Sequence, residues 1–372
     1  MPTDPLNNPV YAQLGVTPLI NAGGTHTTHG GSMMKPEVRE AMSMASESFV
    51  DIVELKRATG DFIARITGAE AGLVTSGAAG GLVLAAAAVM TGVDQEKISQ
   101  LPDTTGMKDE ILTQVNNPTT YMKAHEYAGS KTAYFGDANG GNAEQLEAAI
   151  SDSTAGILYT YAYGPARGGI GVEEIKEVAS AKNIPVIVDG AAMLPPKENL
   201  TRFISEGADL VTYSGGKYIG GPQSAGLLAG RTDLVEAALK NSGPSMAVGR
   251  PQKVGREEML GMVTALQLFI ESDDAARQDT MRKRAVHISD RLQGIDGVSV
   301  SVEQDFLQFH VPNCVIRFDD PSRIDSVWEA LHEGSPRIYI AKMSDGLAAN
   351  PVNLSDDQEV AVADRLYEEL SK

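Results

Sequence analysis

Lysine seldom follows an apolar strand directly, because burying an ammonium group is costly. Residues 209–217 depart from that habit. Asp209-Leu-Val-Thr-Tyr213 runs straight into Ser214-Gly-Gly-Lys217, and a second glycine pair, Gly220 and Gly221, precedes Pro222. A partly desolvated lysine has a lowered pKa, which is what an amine needs to form an imine with a carbonyl. The glycines let backbone approach a bound group closely, and Ser214 offers a hydroxyl to a phosphate. A solvated lysine in a Gly-rich turn would explain the window equally well.

Two further windows share its logic. Ile184-Pro-Val-Ile-Val-Asp189 is an apolar strand ending in a carboxylate, where open α/β sheets bind ligands. Pyridoxal 5'-phosphate needs such a group, because a protonated pyridine nitrogen makes its ring an electron sink. The small residues Gly190, Ala191 and Ala192 leave room for a flat ring; the plainer alternative is that Asp189 caps a helix. In Val74-Thr-Ser-Gly-Ala-Ala-Gly-Gly81 a strand passes through Ser76, Gly77 and Ala78 into a helix, whose first amides would point at a phosphate. Tight helix–sheet packing also selects small residues there. The windows occur in the order phosphate loop, acidic strand end, lysine, with 28 positions from Asp189 to Lys217. All three fall at the carboxyl ends of expected strands, hence on one edge of one sheet.

Rival motifs fit worse. Ser214-Gly-Gly-Lys217 matches the S-x-x-K of serine penicillin-binding enzymes, but only Ser344-Asp-Gly346 follows, and Lys131-Thr-Ala133 comes too early. There is no G-x-x-x-x-G-K-[ST], nor an early strand followed by G-x-G-x-x-G. His26 and His29 share a loop without acidic or thiol partners at ligand spacing, so no metal site is expected.

The elements that must position these residues alternate. Strands are expected at 71–75, 155–160, 184–189 and 209–213, with helices at 78–90, 172–182 and 202–206. That order implies parallel pairing with helices on both faces. After Gly255 the pattern changes to helices at 256–270 and 274–292, alternating strands at 298–302 and 314–318, and a last helix over 355–370. With 372 residues and 42% hydrophobic content, two domains with sizeable cores are expected. The net charge of −18 disfavours nucleic acid as a partner, although acidity also simply aids solubility. The lone cysteine, Cys314, sits among apolar neighbours and reads as a buried structural residue. Residues 1–9 carry no signal-peptide pattern and no apolar run reaches the roughly 20 residues of a membrane span, so a soluble, cytoplasmic protein without membrane partners is expected.

These residues resemble fold-type I pyridoxal-phosphate enzymes, and more narrowly the group containing bacterial selenocysteine synthase (L-seryl-tRNA selenium transferase) and D-glucosaminate-6-phosphate ammonia-lyase. The likeness runs from about Tyr11 to Leu354. Ile20-Asn-Ala-Gly-Gly-Thr25, Leu101-Pro-Asp-Thr-Thr-Gly-Met-Lys108, Ser214-Gly-Gly-Lys-Tyr-Ile-Gly-Gly-Pro-Gln223 and Gly249-Arg-Pro-Gln-Lys-Val-Gly-Arg-Glu-Glu258 carry it, the last two most specifically. It implies an α/β, aspartate aminotransferase-like fold: a mainly parallel sheet in a large domain over 41–260, a smaller α+β domain over 261–372, and a segment 1–40 packing with the small domain or a partner subunit.

By position, Lys217 matches the Schiff-base lysine and Asp189 the pyridinium partner. Ser76, Gly77, Ala78 and Ser214 match phosphate ligands, and Ala191 lies beside the ring. His125, after an expected strand over 119–123, falls where the family often has a histidine over the ring, but Glu126 replaces the usual arginine after it. Arg250 and Lys253 match a basic pair for the substrate's anionic part; a surface patch at a helix start is the alternative. Arg337 is the nearest counterpart of a carboxylate-binding arginine. His29, in the loop 25–31, is a substrate-side candidate contributed across a homo-oligomer, at least a dimer.

The implied reaction is α-proton abstraction and α,β-elimination on a small hydroxy- or sugar-derived amino acid, phosphorylated or not, releasing ammonia and an oxoacid. Racemisation, transamination and a selenium-transferase-like reaction share its first steps and stay open. So does a non-catalytic cofactor-binding relative, against which Lys217, Asp189 and Ser76 together argue. The acidic composition, a match beginning about ten residues in, and Gly30-Gly31 where the selenium transferase has Gly-Arg weigh against a tRNA substrate.

Overall fold

Short apolar runs and amphipathic stretches alternate along most of the chain, and each becomes a strand or a helix. The computed structural model describes residues 6–116, 121, 123–160, 168–305 and 309–372. First come α1 (Pro9–Gln13), β1 (Ile20–Ala22), α2 (Pro36–Ser46) and α3 (Ile52–Thr67). β2 (Ala71–Thr75), α4 (Gly77–Thr91), α5 (Gln95–Gln100), β3 (Glu110–Gln114), α6 (Lys123–Glu126) and β4 (Lys131–Phe135) follow. Next are α7 (Ala143–Ala149), β5 (Thr154–Thr160), α8 (Val172–Ala181), β6 (Val186–Asp189), α9 (Asn199–Ser205) and β7 (Leu210–Ser214). β8 (Gly226–Gly230), α10 (Thr232–Asn241), α11 (Arg256–Glu271), α12 (Asp274–Leu292) and β9 (Val298–Asp305) lead to the last stretch. It holds β10 (Phe309–Phe318), α13 (Ile324–Glu333), β11 (Ile338–Lys342), β12 (Gly346–Ala349) and α14 (Gln358–Leu370).

The chain divides into two compact units, Met33–Ser272 and Met1–Ser32 with Asp273–Lys372. α11 packs against α2 and α3 and therefore stays with the larger unit.

Among the described residues, the larger unit is built on a seven-stranded sheet of order β2-β8-β7-β6-β5-β3-β4. β3 to β7 pair in parallel, and β8 runs antiparallel to both its neighbours. α4 (Gly-Ala-Ala-Gly-Gly-Leu-Val-Leu-Ala-Ala-Ala-Ala-Val-Met-Thr) is apolar all round, as a fully buried helix must be. Its small residues let it lie close against the strands: a Cβ on Gly81 would stand 2.2 Å from Thr212 Oγ1. Leu82 to Ala88 pack with Leu158, Ile187, Leu210 and Leu228. Side chains alternate along a strand, so Thr160, Asp189, Thr212 and Ser214 share the α4 face with that core. Register places Thr160 opposite Asp189, and Asp189 opposite Thr212.

The smaller unit carries a five-stranded sheet of order β1-β11-β12-β10-β9, in which only β1 and β11 pair in parallel among the described strands. Its core joins Ile288 and Leu292 of α12, Cys314 and Ile316 of β10, and Leu366 of α14. Cys314 is buried as expected, and burial pushes its thiol up to about 12. No helix among the described residues is long and apolar enough to cross a membrane. The strand expected over 119–123 lies partly outside the described residues; its last residue, Lys123, opens α6.

Candidate active site

β7 ends at Ser214, and the next five residues, Gly215–Ile219, form a single wide turn that carries Lys217. The turn is pinned by Gly215 N–H to the Ala225 carbonyl (2.9 Å) and Gly221 N–H to the Gly215 carbonyl (2.8 Å). A Cβ on Gly216 would stand 2.5 Å from Gln223 Cα, so only glycine admits this close return of the chain. Lys217 is thereby held half-buried at the carboxyl edge of the sheet. Burial lowers its pKa, and the charge of Asp189 opposes that shift.

Asp189 closes β6 and is buried. Burial raises its pKa, against the Ala191 N–H, which donates to its Oδ1 at 3.1 Å, and against the Lys217 charge. Ala191 thus reaches the site through its backbone amide. Beside Asp189 on the next strand, the Thr160 hydroxyl is buried without a partner among the described residues. A buried hydroxyl with no partner and a carboxylate with no ion pair among the described residues are what a protonated heteroaromatic ring would satisfy.

Ser76 precedes α4 and no side chain caps that helix, which leaves its first amides open to an anion. Gly77 has φ +64 and open space at its Cβ position, a backbone state that favours glycine. Ser214 pairs with Gly226, and a Cβ on Gly226 would stand 2.5 Å from Gly77 C and 2.8 Å from Ala78 N. Ser76, Gly77, Ala78 and Ser214 are therefore one cluster, on the α4 face shared with Asp189.

The Arg250–Gln252 3-10 turn adjoins this loop: a Cβ on Gly80 would lie 3.2 Å from Ser76 Cβ and 3.4 Å from Gln252 Oε1. Arg250 and Lys253 flank Gln252, half-buried and exposed respectively. Residue spacing alone did not single out Gln252, whose buried Oε1 has no partner among the described residues.

His125 is not at this edge, a correction to the sequence reading. Its Nδ1 lies 2.7 Å from Ser130 Oγ and its Nε2 3.2 Å from Thr132 Oγ1. Thr132 is level with Ile111 and Gly156, four residues before Thr160, or about 13 Å down the strands. Both ring nitrogens are occupied at the wrong end of the sheet, and burial holds the imidazole down at about 4. The aromatic ring near the lysine is Tyr121, whose centroid lies 6.0 Å from Lys217 Nζ. A helix, rather than a strand, after residue 122 carries His125 away while leaving Tyr121 behind.

His29 and Arg337 come together in the smaller unit. His29 stacks on Tyr339 with centroids 3.5 Å apart. Arg337 donates from Nε to the His332 carbonyl at 2.9 Å, with Nη2 3.0 Å from His332 Nε2. Burial lowers the His29 pKa, with His332 and His26 adding to the shift. His332, which its sequence neighbours did not mark, links the two.

Similarity to known proteins agrees with this geometry. The pattern of the L-seryl-tRNA selenium transferase family matches residues 19–284. D-glucosaminate-6-phosphate ammonia lyase of Salmonella typhimurium is 32% identical, over 80% of this chain and 78% of its own. 5'-C-glycyluridine monooxygenase-decarboxylase of a Streptomyces species is also 32% identical, over 96% and 91%. The solved structure of D-glucosaminate-6-phosphate ammonia-lyase superposes with a TM-score of 0.84 at 28% identity, covering 98% of both chains. A NifS-like protein superposes at 0.62 and 14% identity, over 95% of this chain and 99% of its own, and shares the fold. That fold is the fold-type I architecture of pyridoxal-phosphate enzymes. The chain belongs to the L-seryl-tRNA selenium transferase family.

Proposed function

We propose that this protein is a pyridoxal-phosphate-dependent ammonia-lyase acting on a small hydroxy- or sugar-derived amino acid. The observation that carries the reading is the convergence of Lys217, Asp189 and the Ser76–Ala78 loop on one face at one edge of the larger sheet. The residues fit the cofactor. Open amides with the Ser76 and Ser214 hydroxyls suit its phosphate, Asp189 suits its ring nitrogen, the Thr160 hydroxyl suits a ring substituent, and Tyr121 suits a ring face. Bound there, pyridoxal phosphate supplies a carbonyl that condenses with amines and a conjugated ring that takes up the electron pair left when a Cα–H bond breaks.

The protein's side chains do the rest. Asp189, ionised against a protonated ring nitrogen, keeps that nitrogen cationic. Lys217 is the nearby base: with its nitrogen free, its Nζ, biased toward the neutral form by burial, would accept the α-proton. The same Nζ–H can return that proton to the departing β-hydroxyl, so water leaves. Water then adds back at the former α-carbon, and ammonia and an oxoacid are released, with no net redox change. Arg250 and Lys253 hold the substrate's anionic end beside the phosphate loop.

A second copy of the chain is part of the reading. Around the α2–α3 turn Met33, Met44, Phe49 and Val50 are exposed, Phe49 almost entirely (98%), and such patches mark interfaces. Sedimentation should give a dimer or larger. A cytoplasmic location is also proposed, in keeping with a lone buried cysteine.

The test is direct. Purified protein should show a visible absorbance band that borohydride abolishes, and should release ammonia from members of a panel of β-hydroxy and sugar-derived amino acids, with and without phosphate. Lys217→Ala should lower that turnover on the order of a thousandfold or more. Ammonia release by Lys217→Ala within tenfold of the unaltered enzyme would overturn the assignment.

A further inference from the structure

Lys56 is a buried ammonium that the reaction above does not use. It sits in α3, 3% exposed. Burial lowers its pKa, to about 8, with no carboxylate among the described residues offsetting the cost. A buried cation without a counter-ion is destabilising, and a methionine would fill the same space more cheaply. Its position suggests what the charge is for.

The Lys56 Nζ donates to Ser242 Oγ at 2.8 Å and to the Gly243 carbonyl. Ser242 Oγ in turn donates to the Leu239 carbonyl at 2.7 Å. These contacts fix the start of a loop whose far end is tied back by the Gly249 N–H donating to the Asn241 carbonyl at 2.9 Å. Arg250 and Lys253 come next, and both rest on Gly243: a Cβ there would lie 3.3 Å from Lys253 Cβ and 3.8 Å from Arg250 Cδ. One peptide unit therefore has the Lys56 ammonium behind it and the two basic side chains in front.

We propose that Lys56 positions Arg250 and Lys253 and adds a third positive charge behind them, so that the substrate's anionic end binds to a three-cation pocket. The proposal rests on reading Arg250 and Lys253 as the anion-binding pair. The bound anion supplies the counter-charge that Lys56 lacks.

Several other charges on the elements packed around Lys56 have partners of their own. On α3, Arg57 pairs with Glu236, and the residues one turn away, Ile52, Val53, Thr59 and Gly60, are uncharged. On α11, Arg256 pairs with Glu257, and Glu258 lies against Gly255. On α9, Arg202 pairs with Glu206. The strands that pack on α3, β2 and β8, carry no ionisable side chain. Across the loop the charged groups are Arg250 and Lys253. An anion bound there should raise the affinity of Lys56 for its proton, so that binding above pH 8 takes up protons from solution.

Inorganic sulfate, a dianion across this range, is the probe. Its binding to the holoenzyme is measured calorimetrically at pH 7 and 9.5, in buffers of different ionisation enthalpy. Losing one charge near the anion should weaken sulfate binding about fivefold to tenfold between those values, still below the ordinary lysine range. Proton uptake should accompany binding near pH 8.5. Lys56→Met should lose both signatures and bind more weakly at pH 7. Lys56→Gln, which keeps a donor for the Gly243 carbonyl, should bind sulfate more tightly than Lys56→Met but only as well at pH 7 as the unaltered enzyme does at pH 9.5, with no pH dependence. The cofactor absorbance band should be unchanged in both. A flat sulfate profile in the unaltered enzyme overturns the proposal whether or not the variants fold, and so does an unchanged profile in Lys56→Met. If Arg250→Ala leaves sulfate binding untouched, the basic-pair reading itself has failed.

Discussion

At the amino-terminal end of the parallel strands, Asp209 is buried and surrounded. Lys176 Nζ reaches it at 2.6 Å, Arg231 Nη1 at 3.1 Å and the Val186 N–H at 2.8 Å. Asp109, at the same end, takes Lys131 at 2.8 Å and the Thr104 hydroxyl at 2.7 Å. At the carboxyl end, Asp189 is buried too, yet among the described residues one backbone N–H is the hydrogen bond it receives and the Thr160 hydroxyl beside it has no partner. The same residue type is thus matched at one end of the sheet and left open at the other. A carboxylate that serves the fold is closed by the fold. One that serves a ligand waits for it.

Asp→Asn substitution at each end should give opposite phenotypes. The largest effect is expected for Asp189→Asn, which removes the charge that keeps the ring nitrogen protonated. Ammonia release should fall on the order of a hundredfold to a thousandfold, while the stability of the cofactor-free protein stays within about 1 kcal/mol, because a costly buried charge is lost with few contacts. The pH dependence sharpens this. Burial raises the Asp189 pKa, so the folded cofactor-free chain binds more protons than the unfolded one above the ordinary carboxylate pKa, and stability falls as pH rises through that window. Asp189→Asn should remove that slope in thermal melts. Strong destabilisation together with full activity would erase the contrast between the two ends.

Asp209→Asn comes second. It takes the carboxylate from Lys176 and leaves Arg231 with Asp233 alone, and should cost about 2 kcal/mol by denaturant unfolding while kcat and the cofactor band stay near normal. Loss of activity in a stably folded Asp209→Asn would show that the amino-terminal end is not merely structural.

His125→Gln is the smallest. The folded state holds the imidazole at about 4 rather than 6.5, so it binds fewer protons than the unfolded chain between those values, and stability falls as pH drops through them. The variant should flatten that acid slope and leave the absorbance band unmoved. A shifted band would return His125 to the cofactor.

Local pattern carried much of the fold. α4, α8 and α12 and the strands that end in Thr75, Thr160 and Asp189 follow their own windows closely, because each window holds a complete hydrophobic period. β8 did not stand out: Gly226-Leu-Leu-Ala-Gly230 has too little β-branched character, and it is a strand because β2 and β7 pair on both its sides. β3 and β4 likewise depend on each other's hydrogen bonds. His125 was misplaced by a two-residue question, whether Lys123 ends a strand or opens a helix, which no local period resolves.

What the residues determined unaided is the chemistry at strand ends. Lys217, Asp189 and Ser76 each follow an apolar run of a few residues, and an extended run delivers its last side chain to the sheet edge wherever the strand sits. Which groups meet there was decided only in three dimensions. Strand order and register put Thr160 beside Asp189, the return of β8 closed Ser214 onto Gly77, and the packing of the 242–253 segment on α3 set Lys56 behind Arg250. Those pairings join residues 29 to 194 positions apart in the chain, and such distances are closed by packing and hydrogen bonding of the whole unit, not by any local preference.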